Sequence, residues 1–336
     1  MTILDKIKSN STIKDASILS HSKFFDKKDM VTTSIPALNI LLSGEMDGGL
    51  TPGHTMFAGP SKHFKTLFML ILMKSYMEKY PESVAILYDS EFGSPLAYFD
   101  SLHIDQDRVL HTPVVDFEEL KFDIMAQLDK IERGDKVFIG IDSIGMLASR
   151  KEVEDALNEK SVADMTRAKA VKSLFRMVTP RLNLKDIPMV SVNHTYKSMS
   201  MFPTDVVGGG TGSYLASDNI FIIGRQQEKE GKELSGYNFV INVEKSRYVK
   251  EKSKIALEVS FEKGINKWSG LLEIALAGGF VIKPMNGWYQ KNDNENKFRE
   301  ADTNTEEFWT PILSNERFGQ YVKETYQLAE NDLLGT

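Results

Sequence analysis

The residues best suited to chemistry lie in Gly59-Pro60-Ser61-Lys62-His63-Phe64-Lys65-Thr66, directly between a short β-rich apolar run, Thr55 to Ala58, and a helical pattern that starts near Lys65. A loop of the form G-x-x-x-x-G-K-[ST] binds phosphate for three physical reasons. Its backbone N–H groups converge on the oxygens, the helix behind it adds its dipole, and the lysine and hydroxyl reach the outer phosphates and Mg2+. Gly59, Lys65 and Thr66 match that form, whereas Phe64 replaces the second glycine. The bland alternative is an ordinary loop and helix start, and the strand immediately before it argues for the phosphate site. Three further polar positions fall at the ends of other apolar runs, where ligands bind in open α/β sheets. Asp142 closes the run from Val137 and has the shape of an acid that holds Mg2+ through water. Glu91 follows Ala85-Ile86-Leu87-Tyr88-Asp89-Ser90 and is placed to act on an attacking water as general base. Asn193 and His194 end Met189 to Val192 and are placed to sense a γ-phosphate. Each alone reads as a strand-end cap; four strands delivering such groups to one sheet edge reads as a site.

A second set of residues suits a polyanion. Met165 to Lys185 carries Arg167, Lys169, Lys172, Arg176, Arg181 and Lys185 with no acid. Lys169, Lys172 and Arg176 share one helical face, while Met165, Ala168, Phe175 and Val178 are expected on the packed face. A solvated helix face is the usual explanation, but six bases without a carboxylate in an acidic protein favour phosphate contact. Thr195 to Gly212 follows, a long segment with Lys197, Phe202, Gly208, Gly209 and Gly210. Few packing residues and much backbone freedom predict a long loop, mobile without a ligand. It is either a plain surface loop or one that tracks a sugar-phosphate backbone and wedges or stacks on bases, loops of this length in a compact domain being usually functional or disordered. Past a later strand, Lys245 and Arg247 are two apart and project together from an extended chain, either gripping one anion or protecting a sheet edge.

These groups need a frame, and the spacing of apolar residues supplies one. Strands are expected at Thr55 to Ala58, Val84 to Tyr88, Val137 to Ile141, Met189 to Val192, Ile220 to Ile223, Phe239 to Val243 and Ala256 to Phe261. Helices are expected at Lys65 to Lys79, Phe117 to Glu132 and Asp164 to Val178. Unbroken β-rich runs separated by helices predict a mostly parallel sheet covered on both faces. Residues 1–30 hold too few apolar positions (Ile3, Leu4, Ile7, Phe24, Phe25) for a core of their own and are expected to dock elsewhere. After residue 265, a helix at Leu271 to Ala277, a hairpin turning at Asn286-Gly287, a mobile polar loop from Lys291 to Glu307 and a last helix near Arg317 to Ala329 are expected. The division is therefore 1–30, 31–265 and 266–336.

Composition limits the chemistry. The chain has 336 residues, 41 basic, 47 acidic and no cysteine, with 41% hydrophobic and 26% charged residues. Disulfide scaffolds, thiolate metal sites and cysteine nucleophiles are excluded, and the balance is that of a globular protein. The net charge of −6 conceals a division: residues 295–336 hold nine acids and four bases, whereas Met165 to Lys185 alone carries six bases. The N-terminus has neither a basic start with an apolar run nor a cleavage site. The longest apolar run, Leu67 to Met73, falls far short of the roughly 20 residues that span a bilayer, so a soluble cytoplasmic protein without membrane contact is expected.

Several stretches together resemble the RecA superfamily and, more closely, its T-even phage recombinase branch, over essentially the whole chain. They are Ser22 to Phe25, Ala58 to Thr66, Tyr88 to Gly93, Asp155 to Lys160, Asp164 to Lys169, Asn193 to Tyr196 and Val243 to Arg247. That branch also lacks the second glycine at the position of Phe64. The resemblance implies an α/β RecA-like ATPase core with a mostly parallel twisted sheet, a small N-terminal helical segment and a small C-terminal α+β region. It implies Mg2+ and ATP as cofactors, with Gly59 to Thr66 around the phosphates, Thr66 and Asp142 at the metal, Glu91 activating water and Tyr98 stacking on adenine. His194 stands where RecA has a Gln that couples the γ-phosphate to the DNA loop. The segments near Ala148 to Met165 and Thr195 to Gly212 become the DNA loops, with Phe202 wedging between base triplets. Lys245 and Arg247 reach the ATP of a neighbouring subunit, and the N-terminal helix with Phe24 and Phe25 docks on that neighbour. Members of the branch usually continue into a longer acidic tail than Asn331 to Thr336, and tail-mediated regulation or partner binding is not carried over from the resemblance.

The function implied is ATP-dependent DNA strand exchange by a helical filament on single-stranded DNA that pairs with homologous duplex. It serves recombination, repair and recombination-dependent replication in the host cytoplasm, alongside a single-strand-binding protein and a mediator. A hexameric helicase on the same core and a non-enzymatic recombination regulator are the alternatives. A closed ring distinguishes the first, and a decayed nucleotide site, which intact Lys65, Thr66, Asp142 and Glu91 argue against, the second.

Overall fold

The computed structural model describes residues 2–159, 166–199, 201–231, 233–292 and 295–328. Along the chain, α1 (Ile3–Ser9) and α2 (Pro36–Ser43) precede β1 (Gly53–Ala58), α3 (Lys65–Lys79), β2 (Val84–Asp89), α4 (Leu96–Ser101) and β3 (Val109–Pro113). Next come α5 (Phe117–Lys130), β4 (Val137–Asp142), α6 (Arg150–Leu157), α7 (Thr166–Lys185) and β5 (Pro188–Asn193). A short hairpin, β6 (Thr195–Lys197) and β7 (Asp205–Val207), leads to α8 (Thr211–Ala216), β8 (Asn219–Glu230), β9 (Glu233–Lys245), β10 (Lys254–Ser260) and β11 (Gly264–Ile265). The C-terminal region adds α9 (Leu271–Ala277), β12 (Val281–Met285), β13 (Trp288–Lys291), β14 (Lys297–Arg299), α10 (Glu306–Leu313) and α11 (Glu316–Tyr326).

One nine-stranded sheet, in the order β11-β10-β9-β8-β1-β5-β4-β2-β3, organises the molecule. From β8 to β3 every pairing is parallel; β8, β9, β10 and β11 extend it antiparallel. β1, β4 and β5 are buried at every position, which is why they read as continuous apolar runs rather than alternating ones. The faces still alternate: Phe57 joins the apolar cluster beneath α2 and α3, while Met56 and Ala58 join the one beneath α5 and α7. On α7 the buried residues are Val171, Leu174, Phe175, Val178 and Leu182, a three-four repeat that lays one stripe on the sheet.

All seven expected strands are present. The parallel edge strand β3 had no signal because its positions are largely exposed and it ends in a proline. Helix α7 runs on to Lys185 through Pro180, beyond the expected Val178. Ala168, expected in the packed face, is exposed; Met165 and the expected start at Asp164 lie outside the described residues. The stretch from Lys291 to Glu307, expected as a mobile loop, instead contains β14 and the start of α10. β13 recruits β14 into a three-stranded antiparallel sheet, and Thr305 caps α10 by accepting from the Phe308 amide. The Asn286-Gly287 turn joins β12 to β13 as expected. The last helix ends at Tyr326, and Ala329 lies outside the described residues. Trp268, Phe308, Trp309, Phe318 and Val322 share the apolar cluster of α2, α3 and β9. In contrast, α1 buries nothing. Phe24, expected to face a neighbour, lies 4.8 Å under the Arg133 guanidinium of its own chain, while Phe25 is exposed.

Candidate nucleotide and DNA site

The C-terminal ends of β1, β2, β4 and β5 bring the predicted groups together. The loop after β1 enters α3 through Phe64, whose φ of 58° and ψ of 14° place the residue before the helix in the left-handed region. That conformation explains why glycine is usual there. Lys65 begins the helix and folds its Nζ back onto the Pro60 carbonyl at 2.8 Å, and burial lowers its pKa. Thr66 donates its hydroxyl to Asp142 Oδ2 at 2.7 Å across the β1–β4 gap. The other oxygen, Asp142 Oδ1, is buried without a hydrogen-bond partner. Burial pushes the Asp142 carboxyl up to about 6, with Glu91 and Asp89 adding like charge and the Thr66 hydroxyl and Lys65 opposing it.

An orphaned carboxylate oxygen beside a threonine hydroxyl and a lysine has the donor set of a Mg2+ site shared with phosphate. Among the described residues no group of three or more His, Asp or Glu side chains forms an all-protein metal cage.

Glu91 stands opposite. Its Oε1 accepts from the Ser143 hydroxyl at 2.5 Å and contacts His194 Nε2 at 2.8 Å. The His194 hydrogen bond, then that from Ser143, holds its carboxyl below the usual range against the effect of burial. Glu91 is aimed by a turn in which Asp89 Oδ1 accepts the backbone N–H groups of Glu91 and Phe92 at 3.0 and 2.8 Å. Gly145 makes room for the histidine: a Cβ there would stand 2.6 Å from His194 Cδ2. Asn193, grouped with His194 from the sequence, does not share its position. It is buried, donates to the Gly208 carbonyl at 2.9 Å and accepts the His194 N–H, so it ties the glycine-rich segment to β5.

A cavity of about 900 Å3 opens over Lys65 and Thr66, lined on one side by Tyr98 and on the other by Arg225, Tyr237 and Phe261. Sequence reasoning missed the last three and Ser143. Arg225, Tyr237 and Phe261 come from the antiparallel strands and the turn beyond β10, whose approach to the phosphate loop has no local signature. Ser143 was adjacent to a predicted acid.

The basic residues divide in two. Lys169, Lys172 and Arg176 are exposed on α7. Arg167 turns inward, donating to the Leu147, Ile144 and Gly145 carbonyls, and Lys185 is held by the Leu128 and Ile131 carbonyls. Arg167 therefore braces the segment after β4 instead of presenting its charge outward. In the glycine-rich segment, the β6–β7 hairpin pairs Lys197 with Asp205 at 2.9 Å, and Phe202 is 81% exposed. Gly209 and Gly210 hold φ of 87° and 72° at the turn into α8. Residues 160–165 and 200 of the two expected DNA loops lie outside the described residues.

Lys245 and Arg247 sit at the opposite end of the sheet. Lys245 Nζ donates to the Tyr214, Leu215 and Ser217 carbonyls at 2.9, 3.2 and 2.7 Å, capping the C-terminus of α8. Arg247 pairs with Asp218 at 2.5 Å. Asp218 in turn touches β1 at His54, accepting its N–H at 2.9 Å. Gly59 lies five residues further along that strand, a span of about 16 Å at the rise of a β-strand.

A mostly parallel sheet carrying a Gly59-to-Thr66 loop between β1 and α3, a strand-end aspartate paired to the loop threonine and a glutamate two residues past the end of β2 fits the class of RecA-like α/β nucleotide hydrolases. Comparisons with known proteins agree. Residues 268–322 match the family described as Bacteriophage T4, Recombination and repair protein, C-terminal domain. The chain is 51% identical over 332 residues to the "Recombination and repair protein" of Enterobacteria phage T4, covering 96% of this chain and 85% of that one. More distantly, it is 26% identical over 271 residues to Protein RecA of Tropheryma whipplei, covering 80% of this chain and 60% of that protein. The RecA of Streptomyces rimosus is 25% identical over 266 residues, with coverages of 78% and 68%. The chain belongs to the phage UvsX recombination and repair protein family, a branch of the RecA recombinases and their DNA-dependent ATPases. No helix among the described residues is long and apolar enough to cross a membrane.

Proposed function

We propose that this chain is an ATP-dependent strand-exchange recombinase that forms a helical filament on single-stranded DNA and pairs it with homologous duplex. The observation that carries the reading is the Thr66–Asp142 pair with its orphaned Oδ1, set beside Lys65 and Glu91. Bound Mg2+-ATP supplies the phosphoryl group and the cation that Thr66 and Asp142 hold. Lys65 would leave the Pro60 carbonyl for the outer phosphates. Gly59, whose N–H is held by the Asn193 carbonyl, and Pro60, which has none, would shape the loop, and Ser61, Lys62, His63 and Phe64 would wrap the phosphates with backbone N–H groups. Glu91 takes a proton from water, and His194, already on its carboxylate, senses the γ-phosphate. Tyr98 stacks on the base.

Lys245 and Arg247 serve the nucleotide of the neighbouring copy, since about 16 Å of β1 separates the level of Asp218 from their own phosphate loop. Lys169, Lys172, Arg176, Lys197, Phe202 and Gly208 to Gly210 face DNA, with contacts to the backbone that weaken in salt. Arg167 supports them from behind. The working division is an N-terminal assembly segment, 1–30, an ATPase and DNA-binding core, 31–265, and a C-terminal unit, 266–336. Docking of α1 and Phe25 on the next copy builds the filament in the host cytoplasm, with a single-strand-binding protein and a mediator as partners.

Strand exchange between homologous substrates tests the reading. Pairing should require Mg2+-ATP and fall with salt, and electron micrographs should show open helices. Pairing without nucleotide, closed rings, or no DNA-stimulated hydrolysis would overturn it.

A further inference from the structure

The phosphate loop contains two residues whose side chains disfavour the backbone they adopt. Lys62 and Phe64 stand at φ of 60° and 58°, where a Cβ crowds the following carbonyl oxygen and only glycine is at ease. Both are held from the same side by the β8–β9 hairpin. Arg225 on β8 donates from Nη1 to the Lys62 carbonyl at 3.2 Å. The Phe64 ring packs on Phe239 of β9, with centroids 4.5 Å apart and planes tilted by 35°. The two supports are themselves joined. Arg225 is paired opposite Phe239 in the β8–β9 ladder, its guanidinium lies 4.5 Å over the Tyr237 ring, and Tyr237 and Phe239 are 6.0 Å apart on one face of β9.

We propose that Arg225, Tyr237 and Phe239 are positioning residues for nucleotide binding, a brace that holds the phosphate loop in its binding shape where related loops use a glycine. The inference rests on the reading that this loop binds Mg2+-ATP. They act by keeping the loop N–H groups aimed at one point. When the brace is cut, the competent fraction of the loop falls and the apparent affinity falls by the same factor. Each cut should weaken binding about fivefold, the equilibrium factor for the roughly 1 kcal/mol that left-handed backbone costs a residue with a Cβ.

The test is equilibrium binding of ATPγS with Mg2+ to the full chain without DNA, in two crossed pairs of variants. Arg225→Ala and Phe239→Leu should each weaken binding about fivefold on the Boltzmann estimate above. Phe239→Leu should have no further effect in a Phe64→Gly background, and Arg225→Ala none in a Lys62→Gly background, because glycine needs no support. The crossed combinations, Phe239→Leu with Lys62→Gly and Arg225→Ala with Phe64→Gly, should retain the full loss. Arg225 is exposed, so its pair stays informative if Phe239→Leu disturbs the core. Equal losses with and without the glycines, or no loss from either single variant, would overturn the brace. A wild-type chain that binds no ATPγS would instead overturn the nucleotide reading on which it rests.

Discussion

The two ends of the central sheet treat their charged groups in opposite ways. Where β1, β2, β4 and β5 finish, the polar groups have capacity to spare: Lys65 and Glu91 line the cavity, the first resting on a loop carbonyl and the second held by two donors on one oxygen, and Asp142, buried behind Thr66, has an unpartnered oxygen. Where β8 begins and β9 finishes, the cations are already occupied by their own chain, Lys245 by three carbonyls and Arg247 by Asp218. Between them His54 is fully buried. Its Nδ1 meets the Ser217 hydroxyl, which itself donates to the Ser213 carbonyl, so Nδ1 carries a proton, and in the neutral ring that burial favours Nε2 accepts from Ser191. Burial lowers its pKa to about 3. One end of the sheet keeps polar capacity in reserve, and the other has its cations committed to internal partners.

Substitutions at each end can break that contrast. The largest effect is expected from Glu91→Gln, which should keep Mg2+-ATP binding but lower turnover about a thousandfold, within the range of general-base loss. Undiminished hydrolysis would place the base elsewhere.

Asp142→Asn tests the capacity to spare through stability. The folded carboxyl has its pKa raised from 3.8 to about 6, so folding favours the protonated form. Stability from this group is therefore full below the unfolded value, falls as pH rises through the window between the two, and is lowest above it. At about 1.4 kcal/mol per pH unit, the nucleotide-free variant should be roughly 2–3 kcal/mol more stable than the wild type at pH 7.5 and no more stable at pH 4. Urea melts at the two pH values check this, and a gain independent of pH would break the assignment.

Lys245→Ala, at the occupied end, should cost about a hundredfold in turnover on single-stranded DNA, the scale of one lost charge-stabilising donor, and little in dilute monomer. Equal losses in both states would place Lys245 in its own chain's chemistry. The smallest effect should come from Tyr98→Ala, with ATP bound about tenfold more weakly for the lost base stack and saturated turnover retained.

The end with capacity to spare was legible in the sequence because each of its groups follows an apolar run that is itself a strand. Lys65, Thr66, Asp142, Glu91 and His194 could be placed by counting from those runs. The occupied groups were not legible. Arg167 and Lys185 look like free cations in a basic run, and what removes them is backbone carbonyls, which carry no residue type to read. The supporting side of the cavity was hidden for a related reason. Arg225, Tyr237 and Phe261 reach the phosphate loop only through the antiparallel extension of the sheet, a pairing more than a hundred residues distant in sequence. Strand β3 and helix α10 failed on pattern: one is mostly exposed, and the other follows a polar stretch that conceals an edge strand.

The first helix buries none of its residues, and Ile3, Leu4 and Ile7 stand exposed on it. On the docking proposed above, that surface is covered by a different surface of an identical molecule. Such contact is heterologous: it lacks a twofold axis, so each addition leaves one donor end and one acceptor end open. Where the rotation between copies does not close a ring, growth of that kind is one-dimensional and polar, with no built-in stopping point, and its length is set by the track it follows and by protein concentration. On that proposal, the directionality of the assembly has its origin in seven residues that the rest of their own chain leaves uncovered.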